Sequence, residues 1–371
     1  MTRYLPSSVR DQTAAILEGL GADARTRDIC TTVMFDTDLM GIDSHGISML
    51  NYYSHEVANG HIAPDAQPEI VRSTAAVTLI DGHRGFGHTA AHLAMTGAVE
   101  AARKFGVGIG SVRRSNHFGA AGYYARMAAD AGLVGMAMCS TANALQIPHR
   151  AKRPLMGTNP MAFAMPVPGE NPILLDMATS VVPLNKVKVY GLRDEELPAP
   201  WVQDGQGSVR HDSAALYQQL EYPDPTQEEV GLLPLGGESF FSGGHKGSGL
   251  ATMVQLLSAG LSGADQPGNM NDYQSIGYFL LAIDPDLIGS REECYEYARI
   301  LRTTIRGMEP IDPTRPVQAM GDRDFTTRAE REAQGIPLAD NLITQLSEMT
   351  AKLGVRFCLS VQEPPFPRPE R

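Results

Sequence analysis

The stretch from Ser111 to Tyr124, Ser-Val-Arg-Arg-Ser-Asn-His-Phe-Gly-Ala-Ala-Gly-Tyr-Tyr, constrains this chain more than any other. It joins a strand-like apolar run (Val107, Ile109, Val112) to an alanine-rich helical run from Ala120 to Ala131. Two arginines, a serine, an asparagine and a histidine stand where strand hands over to helix. Such a junction is held still by rigid elements yet stays open to ligand, which makes it a usual seat for catalytic side chains in α/β proteins. His117 is therefore the first catalytic candidate.

The surrounding chain alternates in the same way. Strand-like runs at Ile70–Val71 and Val77–Ile80 precede a helix over 89–105. Strand 107–112, helix 120–131 and strand 133–139 follow, then strands ending at Met165 and at Asp176. This is α/β texture. The dinucleotide fingerprint Gly-x-Gly-x-x-Gly is absent, because Gly108-Ile-Gly110 continues into Ser111, Val112 and Arg113, and no Gly-x-x-x-x-Gly-Lys-Ser/Thr occurs. A nucleotide bound here needs another arrangement.

Both ends read as helical. Ser7 or Ser8 can cap a helix through Leu17, and further helices are expected over 25–40 and 47–58. Towards the C-terminus a strand over 278–283 leads to helices over 290–305 and 338–353, with a Pro-rich tail after Val361 that wraps or hangs free. Residues 191–232, polar and Pro-rich around the single Trp201, are expected to run over the surface rather than form a compact unit. A boundary is placed near 70–75.

Three further polar stretches carry chemistry. Gly41-Ile-Asp-Ser-His-Gly46 groups Asp43, Ser44 and His45 in a tight turn, either as functional side chains or as caps of the next helix. Asp176 ends a buried strand, where it can bind ribose hydroxyls or close an Asx turn. Gly243-Gly-His-Lys-Gly-Ser-Gly-Leu250 leads into an apolar helix over 251–261. Its glycines and Lys246 suit a pyrophosphate, with close helix packing as the competing reading. His88 and His92 are one helical turn apart but lack the third ligand a metal site needs, so no metal is assigned and packing or helix-start roles are preferred.

A chain of 371 residues exceeds a single core and implies several parts. The net charge of -11 offers nothing to nucleic acid or an anionic membrane, and points to small-molecule partners. An anionic substrate remains compatible with it, since local arginines set the field in a cleft. Cys30, Cys139, Cys294 and Cys358 form no framework, and neither a signal-like start nor a spanning segment is present. These features lead to a cytoplasmic expectation.

Asp43-Ser-His-Gly46, Ser115-Asn-His-Phe-Gly-Ala-Ala-Gly-Tyr-Tyr124, Gly157-Thr-Asn-Pro160, Leu175-Asp-Met-Ala-Thr-Ser180, Gly244-His-Lys-Gly-Ser-Gly-Leu250 and Gly335-Ile-Pro-Leu338 together resemble the malate/L-lactate dehydrogenase family of the non-Rossmann type, in the family's order over nearly the whole chain. The resemblance implies a non-Rossmann α/β cofactor domain with a mixed sheet over 75–289. Beside it stands a helical domain built from 1–74 and 290–371. It implies an NAD- or NADP-dependent homodimer that interconverts 2-oxo and 2-hydroxy acids, or in one branch cyclic imines and amines.

By the same resemblance His117 is the general acid/base, with His45 competing for that role. Ser44 and Tyr53 line the substrate, while Arg113 or Arg114 can grip its carboxylate only in place of the family arginine that Met49 replaces. Thr141, Asp176, Met177, Ala178, Lys186, Gly244, His245, Lys246, Gly247 and Ser248 contact the cofactor. Departures stand at Met49, where an arginine commonly clamps the carboxylate, and at Arg114, Arg150-Ala151 and Met320-Gly-Asp322. A cyclic ketimine reductase and a catalytically silent nucleotide-binding protein are the alternative readings.

Overall fold

The computed structural model describes the whole chain except residues 142, 193–194, 222–228, 268–274 and 364–371; most of the tail expected to wrap or hang free lies outside the described residues. In chain order the elements are β1 (Thr2–Tyr4), α1 (Pro6–Gly19), α2 (Ala24–Leu39), α3 (Leu50–Ala58), β2 (Glu69–Ser73), β3 (Val77–Asp81), α4 (Gly87–Phe105), β4 (Val107–Ser115), α5 (Ala121–Asp130), β5 (Val134–Cys139), β6 (Met161–Met165) and β7 (Ile173–Met177). They continue with α6 (Leu184–Leu192), β8 (Val202–Asp204), β9 (Val209–Arg210), α7 (Ser213–Glu221), β10 (Val230–Leu232), α8 (Gly244–Gln255), β11 (Ile276–Ile283), α9 (Arg291–Arg306), α10 (Asp322–Gln334), β12 (Ile336–Leu338) and α11 (Asp340–Leu353).

The main sheet is mixed and seven-stranded, in the order β2-β3-β4-β11-β5-β6-β7. Its one parallel pair is β3 with β4, and that pair needs a crossover, which α4 supplies. β11 arrives late in the chain and is inserted antiparallel between β4 and β5. Helix α4 buries Ala90, Ala91, Ala94, Ala98 and Ala102. A Cβ on Gly108 would lie 1.9 Å from the Ala98 carbonyl oxygen, and one on Gly110 2.5 Å from that of Ala94. The pair that looks like half a nucleotide fingerprint is thus where α4 lies directly on β4. Gly135 does the same for α5 on β5, its Cβ position being 2.1 Å from the Ala125 carbonyl.

A second core joins the two ends of the chain. Val9, Ile16, Leu17, Met34, Leu50 and Tyr53 pack with Ile336, Leu338, Leu346 and Met349, and β1 pairs antiparallel with β12. The helical layer built from both termini is therefore present as expected. At the start of the tail, Leu5 N–H donates to Ser360 O at 2.8 Å and Gln362 N–H to Arg3 O at 2.8 Å.

Four local expectations need correction. The first helix is started by Pro6, whose fixed φ suits the first helical position, and Ser8 instead donates to the Leu5 carbonyl at 2.8 Å. The described part of residues 191–232 is no surface excursion. Val182, Val187, Leu197, Trp201, Val202, Leu216, Leu220, Val230 and Leu232 gather with Leu145 into a core of their own, over the small sheet β10-β8-β9. The Gly-rich stretch does not precede its helix but forms its first turns, α8 beginning at Gly244 after the left-handed Gly243. That helix is not apolar-buried all round either: Leu256 and Leu261, in its continuation, are 62% and 66% exposed.

Candidate active site

Every residue of the junction after β4 has a task. Tyr278 from β11 donates to the Asn116 carbonyl and lies 2.7 Å from Ser115 Oγ. Asn116 Nδ2 donates to the carbonyls of Arg84 and Gly85, both at 3.0 Å, tying the loop before α4 to the junction. Phe118 is 1% exposed and stacks between Tyr124 and Tyr278, with ring centroids 4.9 and 4.7 Å away. Burying such a ring contributes about 2–3 kcal/mol, and three in a row make a stiff floor. Gly119 turns the chain at φ 81°. His117 is left half-buried above that floor.

Four more groups meet it. Tyr53 Oη from α3 lies 2.7 Å from His117 Nδ1 and 3.4 Å from Nε2 of His88, the second residue of α4. The His45 ring stands 5.3 Å from that of His117, and Ser44 Oγ lies 2.7 Å from His45 Nδ1. Tyr53 is fully buried behind His117 rather than on an open wall. Burial pushes His45 down to about 4 and His88 to about 3. His117 falls well below 6.5 through burial and its two histidine neighbours. Unlike an exposed imidazole, which titrates near 6.5, all three rings are thus held neutral at pH 7. Burial also holds the Tyr53 phenol well above 10, as an O–H.

The turn carrying His45 is fastened from beneath. Asp38 accepts from Ile47 N–H at 2.8 Å, and a Cβ on Gly46 would lie 1.7 Å from Asp38 Oδ1, so only glycine fits. Arg331 on α10 pairs with Asp43, and Asn185 on α6 donates to the Ser44 carbonyl at 3.0 Å. Met49 packs half-buried against the helical core.

The remaining candidates stand further off. Arg113 and Arg114 both face Asp81, at 3.6 and 3.5 Å, and no described contact joins them to the histidines. Asp176 accepts from Gly122 N–H at 2.7 Å in the first turn of α5, and burial raises it to about 6. Met177 pairs with Met161 in the sheet, and Ala178 follows it half-buried. Lys186 is exposed, with its Nζ 4.9 Å from the Trp201 ring. Gly244 and Gly247 are explained by packing, since their Cβ positions fall 2.0 Å from Gly237 O and 2.2 Å from Leu235 O. Ser248 Oγ accepts from His149 N–H at 2.7 Å. Thr141 Oγ1, both ring nitrogens of His149 and Nδ1 of His245 are buried with no hydrogen-bond partner among the described residues. Sequence reasoning passed over His149, Asp38 and Asn185 and set His88 aside as a packing or helix-start residue; the histidine directly after Gly87 was the available signal.

Among the described residues no three His, Cys, Asp or Glu side chains converge as a metal site would, and no helix is long and apolar enough to cross a membrane. The described fold is thus an α/β one that sets a mixed sheet beside an end-joined helical layer and an imidazole cluster, without the Rossmann fingerprint. The family model for malate/L-lactate dehydrogenase matches residues 6–347. A malate dehydrogenase of Pyrococcus abyssi is 34% identical over 345 residues, 92% of either chain. A Delta(1)-pyrroline-2-carboxylate/Delta(1)-piperideine-2-carboxylate reductase of Pseudomonas syringae is 32% identical over 83% of this chain and 85% of its own. The crystal structure of malate dehydrogenase from Entamoeba histolytica superposes with TM-score 0.90 at 27% identity, over 96% of this chain and 99% of the other. The chain belongs to the malate/L-lactate dehydrogenase family. Membership makes it a dehydrogenase or reductase and implies a nicotinamide cofactor.

Proposed function

We propose that this protein interconverts a 2-oxo acid and a 2-hydroxy acid with NAD or NADP, His117 being the general acid/base. The observation that carries the reading is the half-buried His117 ring, fixed at Nδ1 by Tyr53 and facing His45, at a junction built to hold it still. In oxidation Nε2 of His117 accepts the hydroxyl proton while the hydrogen on C2 leaves as hydride and the carbon–oxygen double bond forms. In reduction the same nitrogen returns the proton. The nicotinamide, when bound, accepts or supplies that hydride.

Residues suited to hold a dinucleotide are the first turn of α8 with His245 and Lys246, together with Thr141, Met177, Ala178 and Lys186. The unpaired Thr141 hydroxyl and His245 Nδ1 are polar atoms for which the described protein has no use of its own. Asp176 contributes indirectly, by capping the helix that follows His117. Ser44 and His45 offer hydroxyl and imidazole to the substrate. Arg113 and Arg114 reach it only by leaving Asp81. In the reducing direction the carboxylate of an anionic 2-oxo acid beside the three neutral rings would itself favour protonation of His117, so that substrate and proton are expected to arrive together.

A second reading, reduction of a cyclic ketimine, is supported by the similarity to the Delta(1)-pyrroline-2-carboxylate/Delta(1)-piperideine-2-carboxylate reductase, Met49 standing where many members of the family carry an arginine. We place the enzyme in the cytoplasm, on its cysteine usage. A homodimer is supported by the exposed Phe241, Leu256 and Leu261 around α8. The test follows NADH and NADPH oxidation with linear 2-oxo acids and piperideine-2-carboxylate. Turnover of linear acids supports the first reading, turnover of the cyclic imine alone the second, and none of either overturns both.

A further inference from the structure

His88 is fully buried in the first turn of α4, edge-on to Tyr53 with ring centroids 5.4 Å apart. Its Nε2 is 3.4 Å from Tyr53 Oη, and its Nδ1 has no hydrogen-bond partner among the described residues. A side chain present only to fill space would not be one that strands a buried ring nitrogen, which costs about 1–3 kcal/mol. What this imidazole does offer is a single acceptor, directed at Tyr53.

That acceptor matters because His117 Nδ1 has two suitors. Tyr53 Oη is 2.7 Å from it and the Gly119 N–H 3.3 Å. The Gly119 N–H can only donate, which requires a bare Nδ1 and puts the ring proton on Nε2. In that tautomer a neutral His117 cannot take a proton from substrate at Nε2. Tyr53 can act either way. With its own proton directed at His88, its oxygen accepts from His117 Nδ1–H and leaves Nε2 bare. With no acceptor behind it, the phenol proton turns to His117 Nδ1 and reinforces the unproductive tautomer.

We propose that His88 is a positioning residue: by accepting the Tyr53 proton at Nε2 it keeps Tyr53 an acceptor for His117 Nδ1–H and so presents a bare Nε2 to the substrate. This rests on the reading of His117 as the acid/base, but the tautomer is set in the protein alone and is measurable there. The Gly119 backbone belongs to the same arrangement. It passes over His88 at φ 81°, where a Cβ would lie 3.1 Å from His88 Nε2, so glycine lets the loop close over the buried ring.

The experiment uses the full chain labelled with 15N-histidine, at a pH where the rings are neutral. Long-range proton–nitrogen spectra report which nitrogen of each ring is protonated, and His117 is assigned by the signals missing in His117→Gln. Wild type is expected to show His117 protonated on Nδ1. In His88→Leu the proton should move to Nε2 or divide between the two. In His88→Gln, whose amide oxygen can still accept from Tyr53, it should stay on Nδ1. A His88→Leu spectrum with the His117 proton still wholly on Nδ1 overturns the proposal. Should that variant not fold, Tyr53→Phe removes the oxygen that accepts from His117 Nδ1–H without touching His88 behind it, and an unchanged His117 tautomer there overturns it equally. In turnover, His88→Leu is expected to lose about ten- to a hundredfold in kcat, the usual scale for a residue that orients a reacting imidazole, with the cofactor KM unmoved and most of the loss recovered in His88→Gln. Absence of any turnover by wild type would sink the proposed reaction while leaving the tautomer result to stand or fall separately.

Discussion

The Tyr53 hydroxyl lies 2.7 Å from His117 Nδ1, while His45, the other proton-transfer candidate, meets His117 only ring to ring at 5.3 Å and is bonded at its own Nδ1 to Ser44. The two histidines are therefore not equivalent. His117 is braced at its ring by a fully buried neighbour, whereas the His45 ring meets at Nδ1 the hydroxyl of Ser44 in its own turn. His117→Gln is expected to lower kcat by about a hundred- to ten-thousandfold, the range for a lost general acid/base, with cofactor Kd nearly unchanged. His45→Gln should act mainly on substrate KM. Steady-state kinetics with cofactor titration distinguishes them, and the reverse pattern would transfer the proton shuttle to His45.

The depressed pKa of His117 has a kinetic signature. kcat/KM reports groups of the free enzyme, and oxidation of the hydroxy acid needs the neutral imidazole. Because burial and the neighbouring His45 and His88 hold His117 well below its ordinary 6.5, the base form persists into acid. The kcat/KM for oxidation should keep its plateau as pH falls through 6.5 and decline only well below it. A pH profile breaking at 6.5 would show that His117 titrates as an exposed imidazole.

Much of this was legible in the chain, and the rest was hidden for definable reasons. Strand β4, the His117 junction and α5 are contiguous, so local periodicity alone places them together. Tyr53 and His88 come from different helices, 35 residues apart, and their meeting depends on α3 docking against the start of α4, which no local pattern encodes. The insertion of β11 between β4 and β5 is hidden in the same way, since strand-like sequence does not say where in a sheet a strand is added. Trp201 misled because Pro-rich, polar composition was weighed above its scattered apolar residues, which only the small sheet brings into one core. Gly108 and Gly110 carried a real signal, close backbone approach, but the approaching partner is α4 rather than a phosphate.

Asp38 couples stability to pH. Its carboxyl is raised from 3.8 to about 8, chiefly by burial and further by Asp43, against the opposing Ile47 N–H and Arg331. In the window between those values the folded protein holds a proton that the unfolded chain has released. The contribution of this carboxyl is thus fully present below pH 3.8 and is lost as pH rises through about 8. Asp38→Asn keeps an oxygen for Ile47 N–H and cannot ionise. The stability of wild type relative to Asp38→Asn, from urea midpoints at pH 5, 7 and 9, should fall steadily as pH rises. A constant difference would mean that Asp38 is already ionised in the fold.

The first turns of α8 separate packing from cofactor binding. Gly244 and Gly247 lie against backbone carbonyls, so either one changed to alanine should destabilise the fold by about 1–3 kcal/mol, whatever the cofactor does. Gly249 has nothing within 4 Å of its Cβ position and sits inside the helix, so Gly249→Ala should raise stability by about 0.5–1 kcal/mol. Lys246 is exposed and makes no described ion pair, so removing it costs the fold little. If the turn holds a pyrophosphate, Lys246→Ala should weaken NADH or NADPH binding about tenfold, the loss increasing at low salt, with the melting temperature unmoved. Fluorescence titration of the reduced cofactor against both variants reads this directly. Unchanged affinity in Lys246→Ala would leave the glycines of this stretch with packing as their whole role, and the cofactor phosphates would have to be sought nearer Thr141 and Lys186.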